Sequence, residues 1–422
     1  MRVAVVGSGG REHALAWALG QTAEVVVVPG NAGMARAGVA CAPSLDVAGA
    51  VDLVVIGPEQ PLVDGLADNV RSTGTAVFGP GAEGARLEGS KAHLKQVLQR
   101  AGVPTAGSRA FRTGDEAAAE TFLRSLAPPW VVKTDGLAAG KGVLVAADVE
   151  DAVADVKDKL SGASFGDAGR TVVIEEGLTG REVSVLAICD GRTTDDAVVV
   201  LPVARDHKRV GDGDTGPNTG GMGAYSPLDW TPEGLVEDIL ATVLRPTVDQ
   251  LRAQGSPFTG LLYAGLALTK DGPRVIEFNA RFGDPEAQVL LARLRTPLAG
   301  VLQAAATGAL SGTTLDWSAD VAVTVVMAAG GYPGKVATGQ AIDGIAAANA
   351  LEGVQVIHAG TRLDDGVVRA DGGRVLSVTA TGPTLTEARS RAYAAVGLIH
   401  FPGAQWRTDI ALAAAESRIP VP

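Results

Sequence analysis

The first part of the chain repeats one pattern, in which a short apolar strand ends in a glycine turn and a helix follows. The pattern occurs at Arg2–Gly7, Leu53–Gly57 and Thr75–Gly79. Strands that alternate with helices favour a parallel sheet covered on both faces, and such sheets bind ligands at the carboxyl ends of their strands. We therefore predict a doubly wound α/β domain over residues 1–89.

The first of these turns contains Gly9 and Gly10 and leads directly into a helix. Free backbone N–H groups converge at a helix start, so this turn is a candidate anion site, for example for a sugar phosphate. A dinucleotide site would have glycine where Glu12 stands, and an acid at the end of the second strand, where Pro29 follows Glu24–Val28. The pattern favours a nucleotide-binding-like fold without NAD, and an ordinary tight turn is an equally good interpretation.

Length and charge limit the classes of protein that this chain can belong to. With 422 residues it is too long for one hydrophobic core, so roughly two to four packed units are expected. A net charge of −11 and 4% aromatic residues argue against a nucleic-acid binder. Two cysteines cannot form a disulfide framework, and neither a signal-peptide pattern nor a membrane-spanning apolar run is present. We expect a cytoplasmic monomer that binds neither nucleic acid nor membrane.

A glycine-rich segment in the second unit predicts a β-hairpin flap. Its parts are the strand Trp130–Lys133, the loop Thr134–Gly142 and the returning strand Val143–Ala146. Glycines let the backbone close over a phosphate chain, and Lys133 and Lys141 can supply positive charge to the phosphate oxygens. A solvent-exposed hairpin tip is the weaker alternative, because small apolar residues lie within the loop.

The segment Val275–Gln288 begins as a strand and predicts a cation site. Side chains alternate across a strand, so Glu277 and Asn279 point to one face. A carboxylate and an amide oxygen at this spacing suit a hard cation that is also bound by nucleotide phosphates. A solvated strand end is the usual alternative, but the polar residues alternate here with Ile276 and Phe278, which favours a polar face that lines a cleft.

The segment Arg205–Gly223 contains six glycines and one proline. This composition argues against regular structure, and a long irregular segment inside a compact protein is usually functional. Because basic residues at its start are followed by acidic ones, we expect a substrate loop rather than a plain linker.

Two further segments carry charged residues whose binding partners the sequence does not determine. Residues 83–101 predict one helix with Lys91 on its surface. A strand that starts at Arg181 places Glu182 where a carboxylate can bind ribose hydroxyls. An ion pair of Glu182 with Arg181 or Arg170 is an open alternative.

These features together suit phosphoryl transfer, in which charge neutralisation and positioning do most of the catalytic work. No arrangement of serine or cysteine with histidine indicates a covalent nucleophile, and the five histidines form no recognisable metal motif. The residues alone leave a kinase and a ligase equally open.

Several longer motifs resemble those of the glycinamide ribonucleotide synthetases, also called phosphoribosylamine–glycine ligases. The most informative is Arg281–Gln288, which reads RFGDPEAQ. The others, in chain order, are Gly7–Leu15, Pro29–Gly33, Gly57–Glu59, Leu87–Lys91, Lys133–Val143, Asp206–Arg209 and Asn218–Gly223. Because these motifs follow one another in one order from residue 7 to residue 288, a chance match is implausible.

The resemblance implies an ATP-grasp ligase of purine biosynthesis. Such an enzyme joins glycine to phosphoribosylamine with ATP and Mg²⁺ or Mn²⁺, and it releases glycinamide ribonucleotide, ADP and phosphate. The glycine carboxylate would attack the γ-phosphoryl group of ATP, and the amine of phosphoribosylamine would capture the resulting glycyl phosphate. Acyl phosphates hydrolyse in water, so the site must close.

The resemblance also implies roles for individual residues. Glu277 and Asn279 would hold the metal, and the catalytic residues would be Arg281, Lys141 and Asp284. The residues expected to bind ATP are Lys91, Lys133, Gly140, Lys141, Gly142, Glu175, Glu176, Leu178 and Glu182. Within that set, the hinge that meets adenine, largely through backbone groups, would be Glu175, Glu176 and Leu178. The residues expected to bind phosphoribosylamine or glycine are Gly9, Gly10, Asp206, Lys208, Asn218, Gly220 and Arg281.

The expected organisation is therefore α/β and α+β multidomain. The N-terminal domain would cover residues 1–89, and an ATP-grasp core would cover 90–316 with a lid at about 109–178. A small α+β domain would cover 317–422. Rival functions are another ATP-grasp carboxylate–amine ligase, a biotin-carboxylase-like enzyme, or a nucleotide sensor without catalytic activity.

Overall fold

The computed structural model describes residues 1–138, 142–162, 164, 169–192 and 197–419. The N-terminal strands are β1 (Arg2–Gly7), β2 (Glu24–Pro29), β3 (Ala40–Cys41), β4 (Leu53–Ile56) and β5 (Ala76–Phe78). The helices between and after them are α1 (Gly10–Leu19), α2 (Ala32–Arg36), α3 (Leu45–Ala48), α4 (Glu59–Val63), α5 (Leu66–Ser72) and α6 (Ala82–Gly89). The strands are all parallel, in the order β3-β2-β1-β4-β5, which confirms the predicted doubly wound architecture.

The strand β1 lies at the centre of this sheet because it is apolar on both faces. Val3 and Val6 point to opposite faces of the strand and are buried in two different hydrophobic clusters. A continuous apolar run of this kind is typical of a parallel strand covered on both sides. The register pairs Val6 with Val28 and Ile56, so the turns after these strands meet at one edge of the sheet.

The prediction of a single helix over residues 83–101 is wrong. The chain forms α6, already given, and a second helix, α7 (Lys91–Ala101). Ser90 separates them, because its backbone is extended (φ −143°, ψ 115°) and its Oγ accepts a hydrogen bond from the His93 N–H at 3.1 Å. Serine is a preferred residue at this capping position, so α7 starts anew at Lys91.

Residues 108–176 form an antiparallel sheet with two helices, here called the lid sheet. Its elements are β6 (Ser108–Arg112), α8 (Glu116–Ser125), β7 (Trp130–Thr134), β8 (Val143–Ala146), α9 (Val149–Leu160) and β9 (Thr171–Glu176). The strand order is β6-β9-β7-β8, and the pairing of β7 with β8 confirms the predicted hairpin. Phe111, Val132 and Ile174 pack with Leu123 and Val156 of the helices in a core of their own.

The chain then builds a second antiparallel sheet, here called the core sheet. The strands from this point are β10 (Arg181–Asp190), β11 (Val198–Val200), β12 (Arg205–Asp206), β13 (Arg209–Gly211), β14 (Thr215–Asn218), β15 (Gly223–Ser226), β16 (Thr259–Thr269) and β17 (Gly272–Asn279). The helices are α10 (Leu235–Ile239), a π-helical turn (Leu240–Leu244), α11 (Arg245–Ala253), α12 (Glu286–Arg293) and α13 (Leu298–Ala306). The core sheet has the order β11-β10-β16-β17, with β10 and β16 paired along their length.

The last part of the chain forms an α+β unit. Its elements are β18 (Val321–Ala328), α14 (Ile345–Asn349), β19 (Val354–His358), β20 (Thr361–Asp364), β21 (Val367–Ala370), β22 (Arg374–Gly382), α15 (Leu385–Val396) and α16 (Leu412–Ala415). Its main sheet has the order β12-β15-β18-β22-β19. Two of these strands lie more than ninety residues earlier in the chain: β12 begins the glycine-rich segment, and β15 begins at the last residue of that segment, so the segment ties the C-terminal unit to the core.

The prediction that Arg205–Gly223 lacks regular structure is wrong. The short strands β13 and β14 form a hairpin, and β12 and β15 pair with each other at one edge of the C-terminal sheet. Gly213 and Asp214 form the tip of the hairpin with positive φ angles of 66° and 55°. Glycines disfavour a helix or a long strand, but a tight hairpin turn requires them. The surrounding sheet decides that this segment forms a hairpin and not an irregular loop.

Candidate active site

The lid sheet meets the core sheet at β17, where charged side chains of both sheets and of α7 converge, and we call the region between these side chains the cleft. Val132 and Ile174 point into the lid core, so Lys133 and Glu175, one position further along the strands, point out of it. The Nζ atom of Lys133 donates a hydrogen bond to the backbone oxygen of Ile276 in β17, at 2.9 Å. The lid sheet therefore lies against β17, with a lysine and a glutamate on its inner side.

Glu277 and Asn279 lie on one face of β17, and the register places Gly265 of β16 directly beside Glu277. A Cβ atom at position 265 would meet Cγ of Glu277 at 3.1 Å, so the glycine leaves room for this side chain. The Glu277 side chain is 37% exposed and can be reached from the cleft. Within the described residues, no group of three or more His, Cys, Asp or Glu is placed to hold a metal ion. A cation here would take further ligands from water and phosphate.

Positive charge surrounds Glu277. Burial alone would raise the pKa of Glu277, but the charges of Lys208 and Lys133 outweigh burial and hold the pKa below its ordinary value. The Nζ atom of Lys208 is 3.5 Å from Oε1 of Glu277 and 3.1 Å from Oδ2 of Asp206. For Lys208, burial would lower the pKa, and the carboxylates of Asp206 and Glu277 raise it well above its ordinary value. Glu277 is therefore ionised next to a permanently charged lysine.

Glu175 connects two lysines on the lid side of the cleft. Its Oε2 atom lies 3.0 Å from Nζ of Lys133 and 3.2 Å from Nζ of Lys95, and the side chain is 4% exposed. Burial lowers the pKa of Lys95 to about 8, although the charge of Glu175 opposes this shift. The Oε1 atom of Glu175 is buried without a hydrogen-bond partner. The sequence predicted backbone contacts to adenine at this residue and did not predict the ion pairs of its side chain.

The loop of the hairpin flap is held at the start of α7. Lys91 donates a hydrogen bond from Nζ to the backbone oxygen of Gly136 at 3.2 Å, and burial lowers the pKa of Lys91. A Cβ atom at Gly142 would meet another loop side chain at 2.8 Å, so this position requires glycine. Two residues predicted for this flap lie outside the described residues, namely Gly140 and Lys141.

The other residues predicted to bind ATP lie around the connection between β9 and β10. Glu176 ends β9, and its Oε1 atom accepts a hydrogen bond from the Gly107 N–H at 2.9 Å. Leu178 is half-buried in the turn that follows. Glu182 is exposed at the start of β10, on the same face of the core sheet as the cation residues. These residues therefore line one end of the cleft.

Arg281 is bound by two glutamates of the N-terminal unit. Its Nε atom lies 3.1 Å from Oε2 of Glu59, and a terminal nitrogen lies 2.7 Å from Oε1 of Glu88. The second oxygen of Glu88 accepts a hydrogen bond from the Ala280 N–H at 2.8 Å. Burial alone would lower the pKa of Arg281, but the charges of Glu88 and Glu59 raise it above its ordinary value. Sequence reasoning missed both glutamates, although each lies in one of the motifs of the resemblance.

Asp284 is bound by Arg374 of the C-terminal unit. One terminal nitrogen of Arg374 lies 2.9 Å from Oδ2 of Asp284, and the other donates to the backbone oxygens of Asp284 and Gly220 at 2.6 Å each. Burial alone would raise the pKa of Asp284, and Arg374 lowers it below the ordinary value. A Cβ atom at Gly10 would lie 3.7 Å from Oδ1 of Asp284. Arg374, which the sequence did not single out, thus joins Gly220 to Asp284, and Gly10 lies near Oδ1, the other oxygen of the Asp284 carboxylate.

The first glycine turn contains a carboxylate. The Gly9 N–H donates to Oε2 of Glu12 at 2.6 Å, and Glu12 is 2% exposed. A Cβ atom at Gly7 or Gly57 would overlap the Glu12 side chain at 2.5 and 2.0 Å. Glu12 therefore fills the space between two turns and occupies one N–H group of the predicted anion site.

The predicted substrate loop is divided between two places. Lys208 contacts both Asp206 and Glu277, whereas Asn218 pairs with Arg209 in the hairpin and Gly220 meets the C-terminal unit. The loop therefore does not act as one surface, because its middle forms the separate hairpin β13–β14, whereas its two ends pair with each other in the C-terminal sheet.

A buried carboxyl group behind this loop was not predicted as a site residue. Oε1 of Glu286 accepts hydrogen bonds from the Tyr263 hydroxyl at 2.9 Å and from Ser184 Oγ at 3.0 Å. Burial and then the charge of Asp206 raise the pKa of Glu286 to about 7. The available sequence signal was the polar serine within the apolar strand β10, which requires a buried partner.

Comparison with known proteins identifies the family. The phosphoribosylglycinamide synthetase N domain matches residues 1–88, the ATP-grasp (A) domain of the same enzyme matches 89–287, and its C domain matches 322–413. This chain belongs to the phosphoribosylglycinamide synthetase family.

Members of this family resemble the chain over its whole length. The phosphoribosylamine–glycine ligase of Streptomyces coelicolor is 52% identical, covering 98% of this chain and 100% of the relative. The ligase of Brucella melitensis is 46% identical, covering 99% of each. The crystal structure of the Thermotoga maritima phosphoribosylamine–glycine ligase has a TM-score of 0.84 at 35% identity, covering 97% of this chain and 100% of that chain.

The fold of the synthetase family extends to more distant proteins. The biotin carboxylase domain of Hydrogenobacter thermophilus 2-oxoglutarate carboxylase has a TM-score of 0.71 at 16% identity, covering 96% of this chain and 91% of that chain. At this identity the likeness shows a shared fold and nothing about the substrate. In the part of the chain that the structure describes, no helix is long and apolar enough to cross a membrane.

Proposed function

We propose that this chain ligates glycine to 5-phosphoribosylamine with ATP, giving glycinamide ribonucleotide, ADP and phosphate in de novo purine biosynthesis. The observation that carries the proposal is a cluster of opposite charges where the lid sheet meets the core sheet. On one side it holds the oxygen ligands of Glu277 and Asn279, and on the other it holds the ammonium groups of Lys91 and Lys133. Membership of the synthetase family, through relatives that match end to end, supports this choice of substrates.

In the proposed reaction, an oxygen of the glycine carboxylate attacks the γ-phosphorus of ATP, and the bond to ADP breaks. The amine of phosphoribosylamine then attacks the carbonyl carbon of glycyl phosphate, inorganic phosphate leaves, and the nitrogen loses a proton. Lys91 and Lys133 stabilise the negative charge on the phosphate oxygens, because their ammonium groups lie in the cleft before the substrates arrive. The two sheets limit the access of water to the acyl phosphate.

The residues of β17 fit a hard divalent cation. The fit rests on carboxylate and amide oxygens on one face and on the space that Gly265 leaves beside Glu277. Such an ion supplies charge neutralisation at the β- and γ-phosphates. Glu277 and Asn279 would hold it, and Lys208 would share the Glu277 carboxylate with it. We propose Mg²⁺ as the natural ion and Mn²⁺ as an alternative, because both accept oxygen ligands.

We propose the remaining roles from the resemblance together with the geometry. Arg281, Lys141 and Asp284 act in the transfer steps, Arg281 from its position between Glu59 and Glu88. The proposed ATP contacts are Lys91, Lys133, Gly140, Lys141, Gly142, Glu175, Glu176, Leu178 and Glu182. The proposed contacts to phosphoribosylamine or glycine are Gly9, Gly10, Asp206, Lys208, Asn218, Gly220 and Arg281. The family motifs support this set, and the cleft supports the ATP contacts among its described members.

We also propose the division into 1–89, 90–316 and 317–422, with residues of about 109–178 acting as a lid over ATP. The separate core of the lid sheet supports its movement as one body. A monomer in the cytoplasm is the proposed state, in agreement with the net charge of −11 and the lack of a disulfide framework.

The test is an ADP-release assay with glycine and with phosphoribosylamine formed in place from ribose 5-phosphate and ammonia. ADP should appear only when both substrates, ATP and the divalent ion are present. ADP release that ignores glycine and responds to bicarbonate would favour a carboxylase. ATP binding without any ADP release from the complete mixture would favour a nucleotide sensor.

A further inference from the structure

The tip of the hairpin β13–β14 is held by a buried arginine of the C-terminal unit. Arg407 is 1% exposed, and a terminal nitrogen of its guanidinium donates to Oδ1 of Asp214 at 2.6 Å and to the backbone oxygen of Arg209 at 3.2 Å. Asp409 fixes the arginine in return, because its two oxygens accept hydrogen bonds from Nε at 2.7 Å and from the other terminal nitrogen at 2.6 Å. Such a paired contact holds the planar guanidinium in one orientation.

Two neighbouring residues add to this contact. The Thr408 N–H donates to Oδ1 of Asp212 at 2.8 Å, and the Gly213 N–H donates to Oδ2 of Asp409 at 2.9 Å. The Thr408 hydroxyl also donates to Asp212. We call the contact between residues 407–409 and the tip residues 212–214 the hairpin clamp. It joins segments that are almost two hundred residues apart in sequence.

The hairpin needs such a clamp because it has little structure of its own. Its strands contain three and four residues, and they pair only at Arg209 with Asn218 and at Gly211 with Thr215, with an irregularity between these pairs. An isolated two-stranded hairpin is marginal in water, and the residues of β14 are mostly exposed. The contacts at the tip therefore supply much of the order of the hairpin.

The base of the same hairpin lies beside β17, next to Glu277. The backbone oxygen of Lys208 accepts hydrogen bonds from the Thr219 N–H at 2.7 Å and from the Thr219 hydroxyl at 2.8 Å, so the two ends of the hairpin are tied together there. From this base the Lys208 ammonium reaches Asp206 at 3.1 Å and Glu277 at 3.5 Å.

We propose that Arg407 is a positioning residue that, through the hairpin clamp, holds Lys208 in place beside Glu277. This inference rests on the proposed function, in which Lys208 serves glycine or phosphoribosylamine and Lys91 and Lys133 bind ATP. The lysines that face ATP, Lys91 and Lys133, lie on α7 and β7, which the clamp does not touch. Loosening the clamp should therefore affect the two small substrates more than ATP, because Lys91 and Lys133 keep their positions while Lys208 moves relative to Glu277.

The variants are Arg407→Met and Asp214→Asn, with Arg362→Met as the matched control. Arg362 lies on β20 of the same unit, and its side chain is 44% exposed. Asp214→Asn removes the charge at the tip and keeps the fold, because asparagine tolerates the positive φ of 55° at this position. The Asp214→Asn variant still tests the proposal if Arg407→Met fails to fold.

Two measurements are needed. Hydrogen exchange followed by mass spectrometry should show faster exchange of residues 209–218 in both variants and unchanged exchange in the C-terminal strands β18 and β22. In the ADP-release assay, kcat/KM for glycine or phosphoribosylamine should fall about 10-fold to 100-fold, because small displacements of a reacting group have effects of this size. The KM for ATP should change less than these values, and all constants of the control variant should stay close to those of the unaltered protein.

Unchanged exchange of the hairpin in both variants would overturn the clamp. Faster exchange together with an equal loss for all three substrates would overturn the positioning role, since that pattern indicates a general loss of folded enzyme. If the unaltered protein releases no ADP from the complete mixture, the proposed function fails, and the exchange measurement still decides whether the clamp orders the hairpin.

Discussion

The ion pairs of Arg281 allow its structural role and its proposed catalytic role to be separated. In Arg281→Gln, Glu88 would lose its positive partner while its side chain stays 8% exposed. Glu59, the second partner, is 30% exposed and can be hydrated. The substitution therefore leaves one buried carboxylate without compensation, and burial already raises the pKa of Glu88 above its ordinary value.

The size of the effect follows from these exposures. Removing one partner of a buried ion pair costs about 3–5 kcal/mol, whereas a partly exposed pair contributes only about 1 kcal/mol or less. We expect Arg281→Gln to lower the free energy of unfolding by roughly 3–5 kcal/mol, almost all of it from Glu88. Glu88→Gln removes the uncompensated buried charge. The double variant should therefore recover about 2 kcal/mol of the free energy of unfolding that Arg281→Gln loses.

The assays are urea unfolding followed by tryptophan fluorescence and ADP release under saturating substrates. If Arg281 stabilises the transferring phosphoryl group, kcat falls about 10²-fold to 10³-fold in Arg281→Gln and stays low in the double variant. Stability is then restored and activity is not. The variant Glu88→Gln alone is the control, because it retains Arg281 and its contact with Glu59.

Two results would refute this reasoning. A loss of stability below about 1 kcal/mol in Arg281→Gln would show that the pair with Glu88 is not effectively buried. A double variant that recovers turnover together with stability would show that Arg281 only joins the N-terminal unit to the core.

Three further predictions concern the core sheet. Glu277→Gln should raise the Mg²⁺ concentration for half-maximal ADP release about 10-fold or more, and an unchanged Mg²⁺ titration would remove Glu277 from the metal site. The Cβ atom of Gly265→Val would meet Glu277 at 3.1 Å, so this substitution should impair Mg²⁺-dependent turnover more than stability. A turnover that falls only as far as the folded fraction falls would contradict this. Burial raises the pKa of Glu286 from 4.5 to about 7, so the folded state favours the protonated form. The contribution of Glu286 to the free energy of unfolding therefore falls as pH rises from 4.5 to about 7. Glu286→Gln should remove that fall, up to roughly 3 kcal/mol between pH values below and above the window, and parallel urea-unfolding profiles against pH for both proteins would disprove it.

Local features of the chain were predicted correctly from the sequence alone. The parallel N-terminal sheet follows from apolar strands that end in glycine turns, and the hairpin around Lys133 follows from two strands joined by small residues. The common face of Glu277 and Asn279 follows from strand geometry, because a single residue separates them. Patterns of this kind depend on neighbours in sequence, so no knowledge of the rest of the fold is needed to read them.

The partners of the charged residues were decided only by the tertiary structure. Arg281 meets Glu88, Asp284 meets Arg374, and Lys208 meets Glu277 across separations of up to about two hundred residues, which no local pattern specifies. The hairpin in the glycine-rich segment likewise depends on the C-terminal sheet and on Arg407. A backbone of weak intrinsic preference takes the conformation that its surroundings stabilise, so the sequence determined which groups are available and the packing of the units determined which of them meet.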